Sequence, residues 1–131
     1  MILYDMTSLS RKENVKMKIL WASKNRMTTD QYSSLTKIYD NPKIVRAENN
    51  ITDVNELLSY EPDVFAVVLP TDTLAELVSR TSKDVIRPVE KKVRPDGTVI
   101  PPEEEAAATD YTIKHFGFEK VLKIEIKTKM L

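Results

Sequence analysis

The chain predicts a three-layer α/β fold, and three observations carry that reading. Apolar runs at Ile19–Ala22, Ile44–Ala47 and Val64–Leu69 are each followed by a capped helical pattern. That β-α-β-α-β-α alternation is the signature of a parallel sheet with helices on both faces. Val64-Phe-Ala-Val-Val-Leu69 has no polar face, so it is expected to be buried on both sides, at the centre of the sheet. Beyond Arg87 the pattern changes to alternation, which predicts an antiparallel C-terminal ribbon. Together these describe a Rossmann-like sheet in flavodoxin-like order, extended at its end.

Each element has a local justification. Residues 1–15 are polar around Ser8-Leu-Ser-Arg-Lys-Glu-Asn14 and are expected to form a flexible extension, with Ile2–Tyr4 as an edge strand the alternative. Residues 16–131 are read as a single domain. The first strand, Lys18–Ala22, runs into the loop Ser23-Lys-Asn-Arg-Met27. Thr28 and Gln31 then have the spacing of a capping box, and Tyr32, Leu35, Ile38 and Tyr39 make one apolar face. Asn41-Pro42 ends that helix, and Lys43–Ala47 is the second strand. Past Glu48-Asn-Asn-Ile51, Asp53 and Glu56 cap a second helix whose buried stripe is Val54, Leu57 and Leu58.

Glu61-Pro-Asp63 turns the chain into the central run Val64–Leu69. Pro70-Thr-Asp-Thr73 opens a third helix, with Thr73 and Glu76 spaced as a further capping box and Leu74, Leu77 and Val78 facing the core. A fourth strand is expected near Val85–Arg87. Arg94-Pro-Asp-Gly-Thr98 is a turn with a mechanism: proline presets φ, aspartate bonds locally and glycine accepts positive φ. Residues 102–116 fit either one helix or a helical turn followed by a strand from Tyr111, with the second favoured. Val121–Met130 alternates apolar and charged positions and predicts a half-exposed antiparallel strand near an edge.

Composition narrows the function classes. The 131 residues suffice for one core without disulfides or metals. Twenty basic side chains balance twenty acidic ones, so no global field draws the chain to nucleic acid or anionic membrane. The absence of cysteine removes disulfides, thiolate metal sites and cysteine nucleophiles, and a cytoplasmic location is the expectation. No apolar run approaches the ~20 residues that span a bilayer, and the N-terminus lacks the apolar segment of a signal peptide. The only glycines, Gly97 and Gly117, lie outside every predicted βα turn, which argues against NAD, FAD or standard ATP sites; no cofactor is expected. One histidine without cysteine cannot build a typical zinc site, so no metal is expected.

Ligands of such sheets bind beyond the carboxyl ends of the strands, where the strand order reverses. Placing the first strand beside the third makes a crevice there. Its first loop supplies Ser23, Lys24, Arg26 and Thr28, its second Thr71, Asp72 and Thr73, and Arg87 comes from the fourth strand. Hydroxyls, cations and helix N-termini are the parts that hold a phosphate or carboxylate. The plainer alternative is that the threonines serve only as helix caps and the loops are solvated. Asp72 is a candidate for a cation or a ribose hydroxyl, or simply a first-turn acid. His115 shows no acid or serine partner in the sequence and is read as structural or surface. Glu103-Glu-Glu105 reads as a solvated charge run, and Trp21 as core. Lys91, Lys92 and Arg94 together with Lys123, Lys127 and Lys129 form a basic set diluted by Glu90, Glu119 and Glu125, with no aromatic residues interleaved. Nucleic-acid binding is therefore not expected.

The stretch Ile19-Leu-Trp-Ala-Ser23-Lys-Asn-Arg-Met-Thr28-Thr-Asp-Gln31 resembles the opening of small CRISPR-associated ring-nuclease-type domains. In these a first strand ends in serine and a short loop leads to a Thr-x-x-Gln helix start. The resemblance covers thirteen of the 131 residues. It implies a Rossmann-like fold, binding of cyclic oligoadenylates at a dimer interface and their cleavage without a metal, with Ser23, Lys24 and Arg26 contacting phosphate. Three expectations result. The first is binding of a small anionic ligand, a nucleotide or phosphorylated metabolite, in the crevice. The second is an interaction or homodimerisation module with an empty crevice. The third is metal-independent phosphodiester cleavage with Lys24 and Arg26 stabilising charge.

Overall fold

A computed structural model describes residues 16–47 and 50–123. The expected extension (residues 1–15), Glu48-Asn49 and most of the expected strand Val121–Met130 lie outside the described residues. In chain order the elements are β1 (Lys18–Ala22), α1 (Thr29–Ile38), β2 (Lys43–Arg46), α2 (Val54–Ser59), β3 (Val64–Val67), α3 (Thr71–Arg80), β4 (Asp84–Val93), a 3-10 turn (Pro102–Ala107) and β5 (Thr112–Lys120). They form one five-stranded sheet in the order β2-β1-β3-β4-β5. The first four strands are parallel and β5 is antiparallel to β4. This is the flavodoxin-like order that the sequence predicts, with the last strand reversed.

The layers follow from crossover handedness. β1 steps to β2 in one direction along the sheet, whereas β2 to β3 and β3 to β4 step in the other. Right-handed crossovers therefore send α1 to one face and α2 and α3 to the opposite face. Side-chain alternation along the strands divides the core accordingly. Leu20, Ala22, Phe65, Val67 and Val85 pack with Val54 and Leu57 of α2 and Leu74 and Leu77 of α3. Ile19, Trp21, Val64, Ala66 and Ile86 pack with Leu35 of α1. All four residues of β3 are buried, as a strand between two parallel neighbours requires. The apolar run outlasts the strand: Val68 is already 48% exposed, although its amide still donates to the Ala22 carbonyl at 2.9 Å.

Helix starts are decided locally. At α1 the Thr28 hydroxyl accepts from the Gln31 amide (3.1 Å) and the Gln31 side chain accepts from the Thr28 amide (2.8 Å), which completes the capping box. At α2 the Asp53 carboxylate accepts from Asn55 and Glu56. The Thr73–Glu76 box is a correction. Pro70, at φ −58°, occupies the N-cap, so α3 begins at Thr71 and Thr73 is already inside the first turn, buried. Proline's preset φ suits entry to a helix and moves the start three residues earlier than the box spacing implies.

β4 is longer than expected. Its first residues pair with β3, and the remainder leaves the parallel sheet to pair with β5 alone. Its antiparallel partner is Thr112–Lys120; residues 121–123 are outside any strand. The favoured reading of 102–116, a short turn and then a strand, matches the 3-10 turn followed by β5. Val89 faces Gly117 and Glu90 faces His115, so Phe116 is an extra residue in β5, a β-bulge. Gly117 has φ +123°, a conformation that L side chains rarely adopt, and it is what lets the chain make this bulge. No helix among the described residues is long and apolar enough to cross a membrane.

Candidate functional site

β1 and β3 lie side by side while their helices leave for opposite faces, which opens a notch at their carboxyl ends. A cavity of about 350 Å³ occupies it, within the size range of small-molecule sites. The β1–α1 segment contributes Trp21, Ser23, Asn25, Arg26, Thr28 and Gln31. The β3–α3 segment contributes an apolar wall, Val67 to Leu69 with Leu74. β4 contributes Arg87, Pro88 and Glu90.

The loop after β1 is held from inside. Trp21, almost fully buried, donates its indole Nε1–H to the Asn25 carbonyl at 2.9 Å. The Ser23 hydroxyl, also buried, accepts from the Asn25 amide at 3.2 Å, which leaves its own proton to give. Arg46 of β2 reaches the Lys24 carbonyl at 3.5 Å. The loop thus turns on bonds supplied by the two strands beneath it.

Of the residues singled out from sequence, Ser23, Arg26, Thr28 and Arg87 are brought together on the cavity wall. Lys24, Thr71, Asp72 and Thr73 are not part of that wall. Lys24 is exposed with its carbonyl tied to Arg46, and the exposed Asp72 accepts from the Thr73 amide at 2.8 Å. On the β3–α3 side the cavity meets Leu69 before α3 and Leu74 within it instead of the threonines.

The charges are unequal in availability. Arg87 Nε is 2.7 Å from Glu119 Oε2, so its guanidinium is already engaged. Arg26 is exposed and, among the described residues, has no ion pair or side-chain hydrogen bond. The Ser23 hydroxyl is hydrogen-bonded to no base among the described residues, and no group of three His, Asp or Glu side chains there converges as a metal site.

Two participants were missed by the sequence reading, Glu90 and His115. The His115 side chain is only 7% exposed, and neither ring nitrogen has a hydrogen-bond partner among the described residues. Its Nδ1 lies 3.5 Å from Glu90 Oε2, close enough for electrostatic attraction but short of a hydrogen bond. The expectation that His115 lacks an acid neighbour is therefore corrected. The available signal was Gly117, since a glycine inside a strand pattern marks a bulge that can redirect its neighbours.

The ribbon also differs from expectation. Lys91 lies over the Phe116 ring at 5.3 Å and Lys92 over Tyr111 at 4.4 Å, so aromatic residues do interleave with its basic positions. Comparison of the chain with protein-family models, with curated proteins and with solved structures finds no match.

Proposed function

We propose that this α/β domain binds a small anionic ligand, a nucleotide or phosphorylated metabolite, in the crevice beyond β1 and β3. The observation that carries the reading is the 350 Å³ cavity at the strand-order reversal, with Arg26 and the Ser23 hydroxyl on its rim and Trp21, Val67 and Leu74 as its apolar lining. A guanidinium with no ion pair and a hydroxyl proton with no acceptor among the described residues match the oxygens of a phosphate or carboxylate, and the apolar wall suits the body that carries them. The absence of cysteine accords with a reducing compartment, and the reading places the protein in the cytoplasm.

Trp21 is the sole tryptophan and lines the cavity, so its fluorescence reports occupancy. Titration with adenosine 5′-phosphate and with ribose 5-phosphate is expected to give a saturable change. Arg26→Ala should weaken binding about tenfold, the loss of one charge-assisted hydrogen bond. A linear, unsaturable response to both, with no rise in Tm, overturns the reading.

The resemblance of Ile19–Gln31 to ring-nuclease-type domains supports an enzymatic form, metal-independent phosphodiester cleavage with Ser23 and Arg26 of the cavity wall on the phosphate and Lys24 of the same loop outside that wall. A cyclic oligoadenylate incubated with the protein and a chelator should then yield a linear product by chromatography. An intact ring removes the enzymatic form and leaves binding standing. One observation favours the interaction reading: Ile113 and Phe116 of β5 and Leu122 beyond it are 63%, 47% and 76% exposed. Concentration-dependent dimerisation in sedimentation equilibrium, lost in Ile113→Lys, is its expected signature.

A further inference from the structure

The anion-binding reading explains Arg26 and Ser23 but not the carboxylate that shares their cavity. We infer that Glu90, positioned by His115, selects the ligand's other end: the crevice takes a phosphorylated compound that presents ribose-like vicinal hydroxyls. This rests on the reading above and deepens it.

A carboxylate is an acceptor only and repels a bare anion held nearby, so Glu90 is a poor fit to a phosphate alone. It fits a ligand that brings hydroxyl donors, because one carboxylate accepts from both members of a diol. The placement agrees. Arg26 comes from the loop beyond β1 and Glu90 from the part of β4 beyond its pairing with β3, and both line the one cavity. A sugar phosphate offers its phosphate to the first and its hydroxyls to the second; inorganic phosphate brings no diol.

His115 accounts for how the carboxylate is held. Ile86, Pro88 and Glu90 share the α1 face of β4 by strand alternation, and Phe118 opposite Pro88 packs on that face. In a regular β5, His115 and Phe118, three residues apart, would point to opposite faces. The extra residue Phe116, with Gly117 at φ +123°, puts both on the Glu90 face, where their rings meet edge-on at 5.3 Å. The register shift therefore sets a buried imidazole, with no hydrogen bond to its nitrogens among the described residues, 3.5 Å from a cavity-lining carboxylate. Bulges next to functional sites re-aim side chains in this way. When a diol engages Glu90, a small rotation of the carboxylate completes the bond from His115 Nδ1–H; His115 is a positioning residue that touches no ligand.

The test compares ribose 5-phosphate with tetrahydrofurfuryl phosphate, the same ring without its hydroxyls, on the full chain by Trp21 fluorescence and by Tm. Ribose 5-phosphate should bind at least tenfold more tightly. Glu90→Ala should bring the two within twofold while leaving tetrahydrofurfuryl phosphate bound equally well or better; Glu90→Met, close in size and without a strong acceptor, serves if that variant fails to fold. His115→Phe should lose most of the discrimination, and His115→Gln, which restores an N–H donor, should regain part of it. Equal affinities for the two compounds, or discrimination that survives Glu90→Ala, overturn this inference and leave anion binding intact. Binding of neither compound overturns this inference, and overturns anion binding as well when adenosine 5′-phosphate also fails to bind.

Discussion

Trp21 links the core to the crevice within one side chain. Its ring is packed against Leu35 and Ala66 in the α1-face core, while its indole N–H holds the Asn25 carbonyl of the loop that carries Ser23 and Arg26. Trp21→Phe keeps an aromatic body but removes the bond, worth about 1 kcal/mol net, together with part of a buried ring, so the domain should remain folded at a lower Tm. The loop loses its internal tether, and calorimetric titration with ribose 5-phosphate, at a temperature well below the lowered Tm, should show weaker binding by severalfold. Unaltered affinity would mean that the loop is shaped by Ser23 and Arg46 alone. At this scale the sequence was legible where partners are close along the chain. Thr28 and Gln31 are three residues apart, and their mutual caps could be read directly. Glu90 and His115 meet only across a ribbon and only through a bulge, so neither residue type nor spacing announced them.

Elements were legible to the extent that their boundaries are set by local chemistry. The capped start of α1 and the buried β3 follow from composition, but α3 begins directly after Pro70, with no side-chain cap, and the Thr73–Glu76 spacing falls inside its first turns. The bulge in β5 is the element-scale feature with the largest consequence. A Cβ at Gly117 would meet no atom within 4 Å, so Gly117→Ala isolates the backbone cost of φ +123°. About 1–2 kcal/mol is expected, a Tm fall of roughly 3–8 °C, unless β5 abandons the bulge. In that case His115 turns to the other face and discrimination by Glu90 disappears together with the strain, which thermal melts and the paired titrations distinguish. The C-terminal end of α1 offers a pH test. Burial, and secondarily the Asp84 carboxylate, push the Tyr39 phenol above its ordinary value of 10.0, with Lys120 partly opposing. The fold thus favours the neutral phenol: its contribution is complete below the ordinary value and is lost as pH rises through the raised one. Tyr39→Phe should flatten the alkaline decline of Tm measured above about pH 9, leaving the neutral range unchanged. An alkaline limb identical in the two proteins would assign that decline to other groups.

For the whole molecule, the sheet order was legible because β-α repetition and crossover handedness leave few topologies, and the position of the crevice follows from that order without reference to any side chain. What filled its walls was less legible: four of the eight residues singled out from sequence lie on the cavity. The walls depend on how far α3 advances and where β4 leaves the sheet, both consequences of packing. Global stability is where the binding and interaction readings part. A ligand that binds only the folded state at a hundred times its Kd adds about 2.7 kcal/mol, which for a domain of this length is a Tm rise of roughly 8–13 °C. At the same ligand concentration a tenfold weaker Arg26→Ala variant sits at ten times its Kd and should gain about 1.4 kcal/mol, half the rise. Neither figure depends on protein concentration, whereas a domain stabilised by self-association melts higher as its own concentration increases and ignores added ribose 5-phosphate. Melting the wild type and Arg26→Ala with and without ribose 5-phosphate, at two protein concentrations tenfold apart, therefore decides between an occupied crevice and a docking face. A ligand-dependent rise that Arg26→Ala halves supports the crevice; a rise that follows only protein concentration supports the face.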